Sequence, residues 1–217
     1  MRNHGTGSDR VGRLKNRIRD NRGFTIGEVM VTLIILMLVT SLVARGVQLA
    51  AEHYTRSLAN SESKILYSTL SNIISGELSN VKDIRSASQD ASQYNLGAAN
   101  GGTSGYVLCD HYGDNYSRFF VIDPESVNSD QLITSDYGEL LIGSDDGGTL
   151  NGDFLVGSKA YSSHDLRAKV NVVYSRTDNV FHVTLKIKRK QGSKDLVSGS
   201  FDVIPLNTIE IKPLTDG

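Results

Sequence analysis

The sequence predicts an α+β protein: a long N-terminal helix, apolar in its first half and amphipathic in its second, packed on a C-terminal antiparallel β-sheet. Three observations carry this. Phe24 to Ala44 is a run of 21 residues with one charge, Glu28. From Val47 to Val81 the large apolar residues recur at steps of three and four, the period of a helix with one buried face. Beyond Tyr106 the apolar residues come in short runs separated by turn residues, and the clearest runs alternate with polar ones as half-buried strands do. The expected organisation is a basic leader over 1–23, a membrane-spanning helix over 24–44 and an amphipathic helix over 45–84. An exposed loop over 85–104 and a sheet domain over 105–217 complete it.

The apolar run is the most informative stretch. As a helix rising about 1.5 Å per residue it measures roughly 31 Å, enough to cross a bilayer core. A carboxylate inside such a segment costs on the order of 2.5–3.5 kcal/mol on insertion scales, so Glu28 calls for a partner or a job. The 23 residues before it hold seven cations, Arg2, Arg10, Arg13, Lys15, Arg17, Arg19 and Arg22, against Asp9 and Asp20. By the positive-inside rule that end stays in the cytoplasm, and the chain after Ala44 is delivered outside. A secretory signal would show small residues at a cleavage site after the apolar run, yet Ala44 is followed by Arg45-Gly46.

The candidate processing site lies on the other side, at Arg22-Gly23-Phe24. A basic leader ending in Gly23, then Phe24-Thr25, then Glu28, then an unbroken apolar helix resembles the signal of type IV prepilins and pseudopilins. The match covers about residues 15–45. The resemblance implies cleavage between Gly23 and Phe24 by a membrane-embedded prepilin peptidase, N-methylation of Phe24, and assembly with other pilin or pseudopilin subunits on a type IV assembly platform. It implies a single-pass protein of the bacterial cytoplasmic membrane that passes into an extracellular pilus or pseudopilus. It also gives Glu28 a physical role. Cleavage leaves an ammonium on Phe24 in the apolar zone, and pairing Glu28 of one subunit with the Phe24 amine of its neighbour removes two desolvation penalties and sets their register.

Composition narrows the class. Of 23 basic and 24 acidic residues the leader takes seven and two, leaving 16 and 22 and a net charge of −6, which argues against a grip on nucleic acid or anionic lipid. Cys109 is the only cysteine, so the chain closes no internal disulfide and builds no cysteine zinc site. Many Gram-negative pilins carry a C-terminal disulfide, and many major pilins carry a proline near the position of Arg45. This chain has neither, its first proline being Pro124, which favours a minor pilin or pseudopilin.

After Val81 the chain reads as follows. Residues 85–104, rich in Ser, Ala, Asn and Gly, are expected as an exposed loop. Tyr106 to Cys109, Arg118 to Ile122, Glu139 to Ile142 and Phe154 to Val156 are short strand candidates. Val170, Val172 and Tyr174, then Phe181, Val183, Leu185 and Ile187, alternate with polar neighbours around a turn at 176–179, which predicts a hairpin. Leu196 to Ile204 supplies a third strand. Glycine at Gly46 and Gly76 marks the weak points of the helix.

No catalytic residue, cofactor or metal ligand is assigned. His53, His111, His164 and His182 are scattered, and no nucleophile-elbow, zinc-protease or phosphate-loop pattern occurs. Cys109, beside Asp110 and His111, reads as a small buried apolar side chain, because neighbours on a strand point to opposite faces. Asp110, Asp114, Asn115, Asp145 and Asp146 offer oxygens to Ca²⁺, but their spacing does not fit a twelve-residue EF-hand loop. The run Lys186, Lys188, Arg189, Lys190 reads as an edge strand made unattractive to other strands by lysines. The alternative function is a membrane-anchored extracytoplasmic binding domain or hydrolase with residues 24–44 as a plain signal anchor.

Overall fold

The computed structural model describes residues 25–86, 88–96, 107–109, 116–122, 136–146 and 149–213. The predicted processing residues Gly23 and Phe24, and Asp110, His111, Asp114 and Asn115, lie outside them. The chain divides into two compact units, Met1–Tyr54 and Thr55–Gly217.

One helix, α1 (Ile26–Ser79), supplies the described part of the first unit and the start of the second. Thr25 caps it: its carbonyl accepts the Glu28 N–H at 2.9 Å, and its Oγ1 accepts the same group at 3.2 Å. Neither Gly46 nor Gly76 interrupts it. It was expected to reach residue 84 and ends at Ser79. There Ser79 Oγ donates to the Ser75 carbonyl at 2.6 Å and Asn80 Nδ2 to the Gly76 carbonyl at 2.9 Å, so side chains take over the last turn's acceptors. Val81 and Ile84, expected on its buried face, are indeed buried, but beyond its end.

In the second unit α1 buries Ala59, Ser63, Leu66, Leu70, Ile74 and Leu78, a stripe at steps of four and three. The strands are β1 (Asp83–Ser86), β2 (Gln93–Asn95), β3 (Val107–Cys109), β4 (Tyr116–Ile122), β5 (Glu139–Asp146) and β6 (Thr149–Phe154). After a short helix, α2 (Lys159–Ser162), come β7 (Leu166–Ser175), β8 (Val180–Arg189), β9 (Asp195–Val203) and β10 (Glu210–Pro213). They form two sheets, of order β2-β7-β8-β9 and β10-β1-β3-β4-β5-β6. All described pairings are antiparallel except β1 with β10.

The predicted hairpin is β7 and β8, in register from Leu166↔Arg189 to Ser175↔Val180. Val170, Val172 and Tyr174 join Phe181, Val183, Leu185 and Ile187 in a core shared with Leu66, Leu70, Ile74 and Leu78 of α1. At Gly199 on β9 the Tyr67 hydroxyl lies where a Cβ would stand, so only glycine admits the ring in this position. Strand β4 is apolar on both faces: Phe119 and Val121 enter the main core, while Phe120 and Ile122 form a second cluster with Leu141.

Two expectations are corrected. The stretch 85–104 is not simply an exposed loop. Ser86 ends β1, Gln93–Asn95 pairs with β7, and Tyr94 and Leu96 are buried, because two large apolar side chains suffice to seat a short strand on a core edge. The lysine-bearing strand β8 is not an edge. It lies between β7 and β9, and its outward cations are held across strands instead: Lys186 Nζ is 4.0 Å from Asp195 Oδ2, and Lys188 Nζ lies 4.1 Å from the Tyr137 ring centre.

Candidate functional site

The first unit offers a candidate site without a cavity. Every residue of α1 from Ile26 to Ser57 is exposed, including the large apolar side chains of the predicted span. Among the described residues α1 is the one helix long and apolar enough to cross a membrane. A water-facing helix with apolar residues all round would be unfavourable, so its surroundings must be lipid, other helices or both.

The polar groups on this length are arranged for such surroundings. Thr32 Oγ1 donates to the Val29 carbonyl at 2.8 Å, Ser41 Oγ to Leu38 at 2.8 Å, and Thr40 Oγ1 to Leu36, so within residues 26–44 each hydroxyl has a partner in an apolar medium. Glu28 differs. Thr25-Ile26-Gly27-Glu28 has the spacing of a capping box, in which the acid reaches back to the N–H of the capping residue. Only the forward half is made, Glu28 N–H to Thr25 Oγ1, and the carboxylate has no partner among the described residues. Its place in the first turn, where the N–H groups point outward, suits an anion. Thr25 as the cap was missed in the sequence reading, although Thr-x-x-Glu before an apolar run is its signature.

The other candidate residues do not converge. His53 is exposed on α1. His164 Nε2 lies 3.5 Å from Glu62 Oε1, and Ser163 Oγ donates to the same carboxylate, so this histidine helps clasp α1 to the turn after α2. His182 Nδ1 is 2.7 Å from Asp202 Oδ1 on the neighbouring strand, both side chains about half exposed. Cys109 ends β3, and Asp145 and Asp146 end β5. No group of three or more His, Cys, Asp or Glu residues that could hold a metal occurs among the described residues.

Several polar contacts that hold the second unit together carry no local sequence signal. Asp83, almost fully buried, is ion-paired with Lys212 of the parallel strand β10, and its Oδ1 has no hydrogen-bond partner among the described residues. Arg189 Nη2 donates to the Thr55 carbonyl at 3.2 Å. Tyr137 donates to Asp195 Oδ1 at 2.9 Å. Burial, then that bond and the charges of Asp195 and Asp136, push its phenol up to about 12. Burial likewise raises Tyr161, whose hydroxyl accepts the Leu140 N–H at 3.3 Å beside the buried Glu139. These are structural ties, each joining segments distant in the chain.

No protein-family model, curated protein or solved structure matches this chain.

Proposed function

We propose that this protein is a non-enzymatic subunit, a minor pilin or pseudopilin, of a type IV pilus or a related secretion or competence pseudopilus. Its arginine-rich leader is removed between Gly23 and Phe24 by a prepilin peptidase, Phe24 is N-methylated, and the mature chain assembles through its N-terminal helix. Before assembly the protein sits in the bacterial cytoplasmic membrane with its first residues inside and the sheet domain outside.

One observation carries the reading: over residues 26–44 the helix is apolar and exposed, its one charge is Glu28 in the first turn, and that carboxylate has no partner among the described residues. A plain anchor has no use for an acid at that depth. An anchor that must recognise a neighbour does, because the amine freed at Phe24 is a counter-charge created only by processing. The half-made capping box supports this, since a carboxylate bound to the Thr25 N–H would have been satisfied within its own chain. The basic leader fixes orientation.

The test is the mature protein from its native membrane. Mass spectrometry should give a chain beginning at methylated Phe24, whereas a retained leader returns the protein to the class of plain anchored domains. Glu28→Ala should abolish or cripple incorporation into filaments while leaving the sheet domain folded. Unchanged incorporation would remove the role assigned to that acid.

A further inference from the structure

The charge of the second unit is unevenly spread. Residues 55–217 hold 15 basic and 20 acidic residues, a net of −5. Strand β8 runs antiparallel to the second length of α1. Its Leu185 pairs with Gly199, against which the Tyr67 hydroxyl lies, and four residues on, Arg189 Nη2 donates to the Thr55 carbonyl at 3.2 Å. The turn 190–194 therefore stands at the end of the unit where α1 enters it. Lys188, Arg189, Lys190, Lys194 and Arg56 gather there against Asp195. Two neighbouring acids are already taken, Asp165 by Arg167 at 3.4 Å and Asp136 by Lys169 at 3.2 Å. Lys194 and Arg56 are exposed, and Arg189 Nε is buried with no hydrogen-bond partner among the described residues.

We propose that this basic end rests on the phosphate groups of anionic phospholipid in the leaflet where α1 leaves the membrane. The proposal depends on the membrane-anchored part of the reading above and goes beyond it. Two arguments fix the occupant. Ala44 and Thr55 are eleven residues apart on one helix, at most about 16 Å. The headgroup layer takes up roughly 5–7 Å of that length, which leaves a gap of about 10 Å, one Debye length, across which surface charge still acts. And a lipid surface meets one end of the unit only, whereas an elongated polyanion such as nucleic acid would run on past its acidic remainder. The net charge of the whole chain, which speaks against a general grip on anionic lipid, does not describe this end.

The full-length chain needs only Cys109→Ser to become cysteine-free, so Ser193→Cys can carry a single donor dye at the basic end, with an acceptor dye on a trace of lipid headgroups. Energy transfer should be at least about twofold greater in mixed phosphatidylglycerol and phosphatidylcholine vesicles than in phosphatidylcholine alone, and the excess should vanish in about 1 M NaCl. Lys190→Gln with Lys194→Gln should remove most of the excess at an unchanged urea midpoint. A donor at Asn207→Cys, exposed beside the end of α1 at Ser79, should show none. Equal transfer in the two vesicles, or an excess indifferent to the two lysines, overturns the proposal. So does an excess abolished by millimolar inorganic phosphate, which would make this a site for a free anion, or by duplex DNA. The assay needs only an inserted chain. Its failure leaves processing between Gly23 and Phe24 standing, whereas a chain extracted from the vesicles at alkaline pH overturns the anchored reading and the proposal with it.

Discussion

The two lengths of α1 on either side of Tyr54 are both helical and both rich in apolar residues, yet they stand in opposite relation to their own chain. From Ile26 to Tyr54 nothing is buried, whereas from Ala59 to Leu78 one stripe is closed off and the remainder is half-buried or exposed. The difference is one of pattern. A continuous apolar surface offers no side for water, so it needs an external apolar medium. An interrupted one divides into a face for the core and a face for solvent. Apolar content alone separates neither a span from a core helix nor a core face from an unpartnered one. Ile65 and Leu66, neighbours in sequence, end up 66% and 3% exposed.

The sharpest way to break this comparison is to shorten a side chain in each length. Leu70→Ala empties a fully buried site and should cost about 2–5 kcal/mol of domain stability, read as a lowered urea midpoint of the detergent-solubilised chain. Leu38→Ala, on the uncovered length, should leave that midpoint unmoved. Equal losses would mean that the two lengths are not energetically distinct.

A smaller effect is expected where the second length ends. Lys212→Met removes the counter-charge of Asp83 and leaves its carboxylate buried with neither oxygen compensated by that amine, at a cost of about 1–3 kcal/mol by the same measurement. The lysine is nearly half exposed, so the lower part of that range is expected.

The smallest effect is a dependence on pH confined to the second unit. The Tyr137 phenol is held up to about 12, while an unfolded tyrosine ionises near 10. The protonated form is the one favoured by folding, so its contribution is intact below about pH 10 and is lost as pH rises through 12. The urea midpoint should fall across that window, and less so in Tyr137→Phe. Absorbance at 295 nm should show the delayed ionisation.

Much of the fold was legible because its signals are local. The β7–β8 hairpin follows from Val170, Val172, Tyr174 and their partners alternating in step, and the helix follows from its period. What was not legible depends on residues far apart. The lysines of β8 imply an edge unless β9 is known to cover it. Tyr94 and Leu96 stand isolated among small polar residues, and only the core edge beside β7 makes a strand of them. The pairing of β1 with β10 joins Asp83 to Glu210, across most of the domain. At the candidate site the apolar run and Glu28 were visible in sequence, while the unmade half of the capping box depends on where the Glu28 side chain lies.

The last carbonyl of α1 has a further consequence. Ser79 accepts the Leu206 N–H at 2.9 Å, and four residues later Glu210 N–H binds the Lys82 carbonyl at 3.1 Å. The first element made is therefore finished by almost the last. A chain still being synthesised cannot close this knot until Leu206 and Glu210 have been made, so the end of α1 and the core beside it stay open until then. Closure of the second unit is thus a late event, set by contacts between residues far apart in the sequence.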